Sequence, residues 1–331
     1  MKPLTRLLAA TALLSAVASP AHAGEGFDIV VLGARGGIQD GNLSAFMISP
    51  AGDDRAVTCD AGSLVGGLIA ADARGALDGV AVPADSPYTR VGYVLTDRIR
   101  GYLVSHAHMD HVAGLVAASP DDSEKPVYGL PSVTERLQRN YFNWEAWPNF
   151  AFEGEPPQLR KYRLTDLVPG EARPLDGTAM QVTAWPLSHA GVESTAFLVE
   201  RGEDAILCFG DTGPDEVEKS SAMRDVWAAV ADRVRQKRLK AIIIEVSYAN
   251  AQPDKFLFGH LTPAWLRRSL GELEAMAGPG SLNGLPVVVS HVKYSLKAGL
   301  PPTQVILGEL EAGNTLGVRY IMPEQGDRWR F

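Results

Sequence analysis

The stretch SHAHMDHVAG, residues 105–114, places three histidines and an aspartate in six positions: His106, His108, Asp110 and His111. The chain has only seven histidines in 331 residues, and three placed independently meet such a pattern by chance about 0.003 times per chain. Polar groups this dense need compensation once folding takes them from water. The stretch follows a buried-strand pattern, RGYLVS at residues 100–105, and runs into a helical one, HVAGLVAA. His106 and His108, two apart in extended backbone, point the same way and suit one ion. Asp110 and His111 open the helix and face a second ion a few ångströms away. Imidazole with carboxylate suits zinc, and Mn or Fe also fits this donor set.

Partners for the cluster come from distant strand ends. Apolar runs at residues 28–33, 44–49, 56–60, 180–187, 195–200, 204–211, 240–247 and 285–291 read as strands between Gly and Asp turns. His189 in PLSHAG, Asp211 in CFGDTG and His291 in VVVSHVK each stand where such a run stops. Residues at strand ends can converge across one rim of a sandwich. His189 would then complete the first ion's ligands, His291 the second's, and Asp211 would bridge the two.

Helical patterns occupy residues 215–238, which open with acids and close with bases as the helix dipole prefers. They also occupy 262–276, with Thr then Pro as cap and first turn, and 302–312. Two groups of strands, each followed by helices, predict an α/β fold, a four-layer αββα sandwich. Residues 64–95 read as an irregular surface elaboration. GARGG, residues 33–37, follows the first strand as a dinucleotide loop would, but it lacks the G-x-G-x-x-G spacing and a strand follows it. It reads instead as a tight turn beside the site.

The first 23 residues are expected to leave the fold. Lys2 and Arg6 precede an apolar run at residues 7–17, and AHA at 21–23 offers a cleavage site. The run is shorter than the ~20 apolar residues a bilayer span needs, so the expectation is a signal peptide cleaved after Ala23. That makes residues 24–331 one exported domain, periplasmic or secreted, with no membrane attachment after cleavage. Removing Lys2 and Arg6 and no acid leaves 29 basic against 39 acidic residues, a net charge of −10. So acidic a chain is a poor nucleic-acid or anionic-membrane binder. Cys59 and Cys208 lie in apolar runs; in an oxidising compartment they could pair, though sequence cannot place them side by side, and two buried, inert thiols are the preferred reading.

Taken together, these residues resemble the class II 3′,5′-cyclic-nucleotide phosphodiesterases of the metallo-β-lactamase fold. His106, His108, Asp110, His111, Gly114 and Leu115 match the motif, with Met109 where the family has Leu. LGARGGIQDGNLSAF, the FNWEAWPN segment ending at Asn149, EVSY at 245–248 and LFGHLTP at 257–263 also match, so the likeness runs from about residue 27 to about 317. It implies two zinc ions, one on His106, His108 and His189, the other on Asp110, His111 and His291, with Asp211 bridging. It implies a cyclic nucleotide as substrate, cyclic AMP and with it cyclic GMP. The leaving 3′-oxygen needs a proton; His260 is the candidate donor and Glu245 orients it. Related tRNA-processing nucleases of the fold carry similar Glu/His pairs. Asp60 in TCDAG is read as a hydrogen-bond acceptor for a ligand histidine. Trp144, Trp147 and Asn149 are read as packing residues rather than base readers. The rival readings are a β-lactamase or thioesterase of the same fold, and a metal-binding protein without turnover. A bridging Asp211 argues against the lactamase, and a proton donor against pure binding.

Overall fold

The computed structural model of the chain describes residues 25–331, and the leader expected over residues 1–23 lies outside them. The first half supplies strands β1 (Phe27–Gly33), β2 (Arg35–Gly36), β3 (Ala45–Pro50), β4 (Ala56–Cys59), β5 (Ile99–Leu103), β6 (Lys125–Gly129) and β7 (Tyr162–Asp166). The second supplies β8 (Arg173–Pro174), β9 (Gln181–His189), β10 (Val192–Arg201), β11 (Asp204–Phe209) and β12 (Leu239–Glu245). It ends with β13 (Pro286–Ser290), β14 (Val292–Lys293), β15 (Arg319–Ile321) and β16 (Arg328–Arg330). Among the described residues these form two seven-stranded sheets and a β2–β14 ribbon. The sheet orders are β16-β1-β3-β4-β5-β6-β7 and β15-β13-β12-β11-β10-β9-β8.

Helices α1 (Val65–Ala73), α2 (Arg90–Tyr93), α3 (Met109–Ala118) and α4 (Pro131–Asn140) intervene between strands of the first sheet. Helices α5 (Asp215–Glu218), α6 (Ala222–Arg235), α7 (Pro263–Ala277) and α8 (Pro302–Ala312) do so in the second. Successive side chains of a strand face opposite sides, and that alternation builds the layers. Along β12, Ala241 and Ile243 enter the core shared by both sheets, while Ile242 and Ile244 enter the core under α6 and α7. Phe197 and Val199 of β10 split from Ala196 and Leu198 in the same way. The result is the predicted αββα sandwich. No helix among the described residues is long and apolar enough to cross a membrane.

Four expectations are corrected. Residues 64–95 are irregular only in their middle: α1 and α2 bracket the turns and loops of 74–89, and Leu64, Leu68 and Leu77 are buried. Two glycines hide α1 from a propensity reading, yet Gly67 is required, because a Cβ there would stand 2.2 Å from the Leu32 carbonyl oxygen. The helix expected over 215–238 breaks at Lys219, whose φ of 55° is left-handed. The Asp215 carboxylate then accepts from the backbone N–H of Met223 and Arg224, capping α6 from outside it. Cys59 and Cys208 are not thiols but a disulfide, 149 residues apart with a Cα–Cα distance of 6.7 Å. They sit on β4 and β11, inner-face neighbours in opposite sheets, a proximity invisible while each strand is read alone. The last strand also departs from the two-group reading: β16 returns to pair with β1 in the first sheet. There Asp28 accepts from Arg330 at 2.7 Å and Arg328 at 3.2 Å.

Candidate metal centre

Strand ends of both sheets meet on one rim. His106 and His108 follow β5, and Asp110 and His111 lie in the first turn of α3. From the second sheet come His189 at the end of β9, Asp211 two residues beyond β11, and His291 directly after β13. Two glycines let the backbone close on this rim. A Cβ on Gly36 would lie 2.1 to 2.3 Å from the His291 ring, so the GARGG turn can press on that imidazole only as glycine. Its neighbour Gly37 donates its N–H to Asp110 Oδ2 at 2.7 Å. Gly259, at φ +77°, turns its carbonyl to accept from His189 Nδ1 at 2.8 Å.

The side chains fall into two donor sets. His108 Nδ1 lies 3.0 Å from His106 Nε2 and 3.3 Å from His189 Nε2. His291 Nε2 lies 3.2 Å from His111 Nε2 and 3.1 Å from Asp110 Oδ2. Asp211 stands between the sets: Oδ1 is 3.3 Å from His111 Nε2, and Oδ2 is 3.2 Å from His291 Nε2. The same Oδ2 is 3.8 Å from His189 Nε2 and 3.9 Å from His106 Nε2. All seven predicted residues converge here.

Proton bookkeeping tests whether such a set suits a cation. Burial pushes His106, His108 and His189 below the usual imidazole range, and a neutral imidazole carries one N–H. The network places that proton on the outer nitrogen. His189 Nδ1 faces a carbonyl oxygen, which can only accept. Ser105 Oγ donates to Asp60 Oδ2 at 3.0 Å, so it accepts from His106 Nδ1 at 3.0 Å. Nε2 of His106 and of His189 are then bare lone pairs facing the one nitrogen of His108, which cannot serve both. A tetrahedral ion with Zn–N bonds of 2.0–2.1 Å sets its ligand nitrogens about 3.3 Å apart, close to the observed spacing. The donors fit a metal.

The second set carries more charge. Burial opposes protonation of His111, but Asp211 and Asp60 outweigh it and raise the imidazole well above its usual range. Its Nδ1 donates to Asp60 Oδ2 at 2.6 Å, the contact expected of Asp60. Burial would raise the Asp211 carboxyl, yet His291 and His111 hold it well below the usual range. Beside these, His260 Nδ1 donates to Glu245 Oε1 at 2.8 Å and lies 3.7 Å from Asp211 Oδ2. Glu245 also accepts from the N–H groups of Thr212 and Ser247, at 3.1 and 3.0 Å. Burial lowers His260, but Glu245 and Asp211 outweigh it and the net shift is upward.

Residues 31–326 match the family of class-II cAMP phosphodiesterases. The chain belongs to that family. It is 55% identical over 306 residues to a 3′,5′-cyclic-nucleotide phosphodiesterase of Aliivibrio fischeri, covering 92% of this chain and 93% of the relative. The crystal structure of unliganded yeast PDE1 superposes with a TM-score of 0.78 at 25% identity, covering 92% and 99% of the two chains. A metallo-β-lactamase fold protein of Bacillus subtilis shares the fold, with a TM-score of 0.61 at 15% identity over 92% and 99% of the chains.

In this class-II phosphodiesterase the FNWEAWPN segment builds its own loop. Asn149 is buried, its amide donating to the carbonyls of Glu153 and Glu155 and its oxygen accepting from Ala151 N–H. Trp147 donates to Ser119 Oγ. Trp144 is half exposed and donates to the Glu155 carbonyl. Sequence reasoning misses Ser247, whose Oγ lies 2.9 Å from His291 Nδ1 and 3.2 Å from His260 Nδ1. The only signal for it was its place one residue beyond a strand-end glutamate and valine. Ser105, which orients His106, is missed for the same reason: a serine at a strand end looks like any turn residue.

Proposed function

We propose that the chain hydrolyses 3′,5′-cyclic AMP, and cyclic GMP with it, to the 5′-monophosphate at a centre of two divalent ions, zinc being the ion the donors favour. One observation carries this reading: two adjoining donor sets share Asp211, and the His260–Glu245 pair stands 3.7 Å from that same carboxylate. His106, His108 and His189 would hold one ion, Asp110, His111 and His291 the other, with Asp211 between them. Bound there, two divalent ions would supply an activated water near neutral pH and positive charge toward the phosphate's oxygens, a local field that an acidic chain otherwise lacks.

The chain's own residues do the rest. Asp60 takes the Nδ1 proton of His111 and so presents its Nε2 inward; the Gly259 carbonyl and Ser105 do this for His189 and His106. Glu245 holds the Nδ1 proton of His260 and supports a charged imidazolium. His260 gives its Nε2 proton to the 3′-oxygen as the O3′–P bond breaks, so the ribose leaves as an alcohol rather than an alkoxide. Residues 24–331 would act as one hydrolase domain. Purified protein loaded with zinc should open 3′,5′-cyclic AMP, lose activity to a chelator and recover it with zinc. Turnover of a chromogenic cephalosporin without turnover of cyclic AMP would overturn the assignment.

Export belongs to the same proposal. The leader pattern of residues 1–23 and a buried disulfide both fit an oxidising compartment outside the cytoplasm. N-terminal sequencing of protein from the periplasmic fraction should begin at Gly24. Protein retained in the cytoplasm with Met1 in place would refute this.

A further inference from the structure

We propose that the Cys59–Cys208 disulfide positions the metal ligands, so that the oxidised chain holds metal more tightly than the same chain with two thiols. This rests on the two-ion reading above. The donors divide between the sheets: His106, His108, Asp110 and His111 follow β5 of the first, while His189, Asp211 and His291 end strands of the second. A slide of one sheet over the other therefore pulls each donor set apart. Metal–ligand bonds tolerate displacements of only about 0.2 Å, and the apolar packing between sheets is non-directional. Direction at the seam comes from hydrogen bonds, such as those of the β2–β14 ribbon, and from any covalent tie, which yields far less than they do.

The disulfide is placed to be that tie. Cys59 ends β4, and the next residue is Asp60, at φ 55°, whose carboxylate takes both Ser105 N–H at 2.8 Å and His111 Nδ1. Cys208 lies on β11 three residues before Asp211. A closed circuit results. It runs from the disulfide through Asp60 to His111, crosses 3.3 Å from His111 Nε2 to Asp211 Oδ1, and returns through Gly210 and Phe209 to Cys208. The sheets touch closely along it. A Cβ on Gly210 would stand 2.3 Å from that of Ser105, and Thr195 Oγ1 donates to the Ser105 carbonyl at 2.8 Å. With only two cysteines in the sequence, this is the one covalent tie the chain can make across the seam. The other ties there are contacts that can stretch.

The bond is made before the core closes. Each sulfur-bearing residue is 1% exposed, out of reach of a thiol reagent once the sheets have packed. Forming the bond removes two protons and two electrons from the two thiols; a disulfide of an oxidoreductase or of a small thiol accepts them by exchange and is itself reduced to two thiols. A chain folded in a reducing compartment keeps both protons, and its seam lacks the tie.

Three forms of the full mature chain test this: the oxidised protein, the same protein unfolded and refolded with dithiothreitol, and the variant Cys59→Val/Cys208→Ala. Thiol titration verifies the redox state and circular dichroism the fold, at a temperature well below melting. Zinc affinity is then read by competition with a chromogenic chelator, and ligand geometry by the visible spectrum of the Co(II)-substituted protein. The reduced protein and the variant should each bind zinc at least about tenfold more weakly, the scale on which outer-shell supports act, with a shifted Co(II) spectrum. The reduced protein keeps every native side chain, so it carries the test where the variant fails to fold. Folded forms with unchanged zinc affinity and spectrum, differing only in melting temperature, would make the disulfide purely structural and overturn the proposal. Oxidised protein that binds no zinc would instead overturn the two-ion reading itself.

Discussion

Asp211→Asn is expected to abolish turnover of cyclic AMP, with kcat/KM falling by more than the roughly hundredfold that loss of even an outer-shell support can cost. The amide matches the carboxylate in shape, so the packing around a buried side chain survives the change. What it loses is one negative charge and one of two acceptor oxygens. Both oxygens are in use: Oδ1 faces His111 at 3.3 Å, and Oδ2 faces His291 at 3.2 Å, with His189 and His106 beyond at 3.8 and 3.9 Å. An amide nitrogen turned toward either donor set would repel a cation there. Metal analysis should accordingly show fewer than two zinc ions per folded chain. Activity within about tenfold of wild type would remove Asp211 from the shared position, since a bridging ligand cannot be neutralised at the cost of one ordinary hydrogen bond to charge.

His260→Ala gives the second large effect, and here the substrate decides its size. A positioned general acid contributes about 10²–10⁴-fold where the leaving group needs a proton. The 3′-oxygen of a cyclic nucleotide is a poor alkoxide and should show the full loss. A nitrophenyl phosphodiester releases a stable nitrophenolate that needs no proton, and its hydrolysis should lose little. The pair's geometry makes the comparison clean: Glu245 fixes His260 through Nδ1 at 2.8 Å, while Thr212 and Ser247 fix Glu245. Equal losses on both substrates would reduce His260 to a support for the rim, beside Gly259 and the cap of α7.

How much of this was legible depends on the range over which each feature is encoded. The cluster from His106 to His111 is local, so spacing alone displays it. His189, Asp211 and His291 are scattered over a hundred residues, yet each stands where an apolar run stops, and a sandwich collects such ends on one rim. Asp60 also follows a strand, but only the family resemblance distinguishes it from a turn-forming aspartate before glycine. Features that depend on the facing of one sheet to another are not. The Cys59–Cys208 bridge needs the relative placement of β4 and β11, and the return of β16 to β1 needs the register of Asp28 with Arg330. Helix α1 fails differently. Its Gly67 serves the close approach to Leu32, so tertiary packing overrides local propensity. Ser247 is hidden because a hydroxyl that holds an imidazole is chemically indistinguishable, in one dimension, from a hydroxyl that caps a turn.

The pairing of β1 with β16 also has a consequence in time. Asp28 and Arg330 are 302 residues apart, so the outer edge of β1 cannot find its partner until residues 328–330 have been made. Until then that edge presents free N–H and C=O groups, a template for foreign strands, and contacts of such long range close slowly. The first sheet to be started is thus closed at this edge only after every strand of the second has been made.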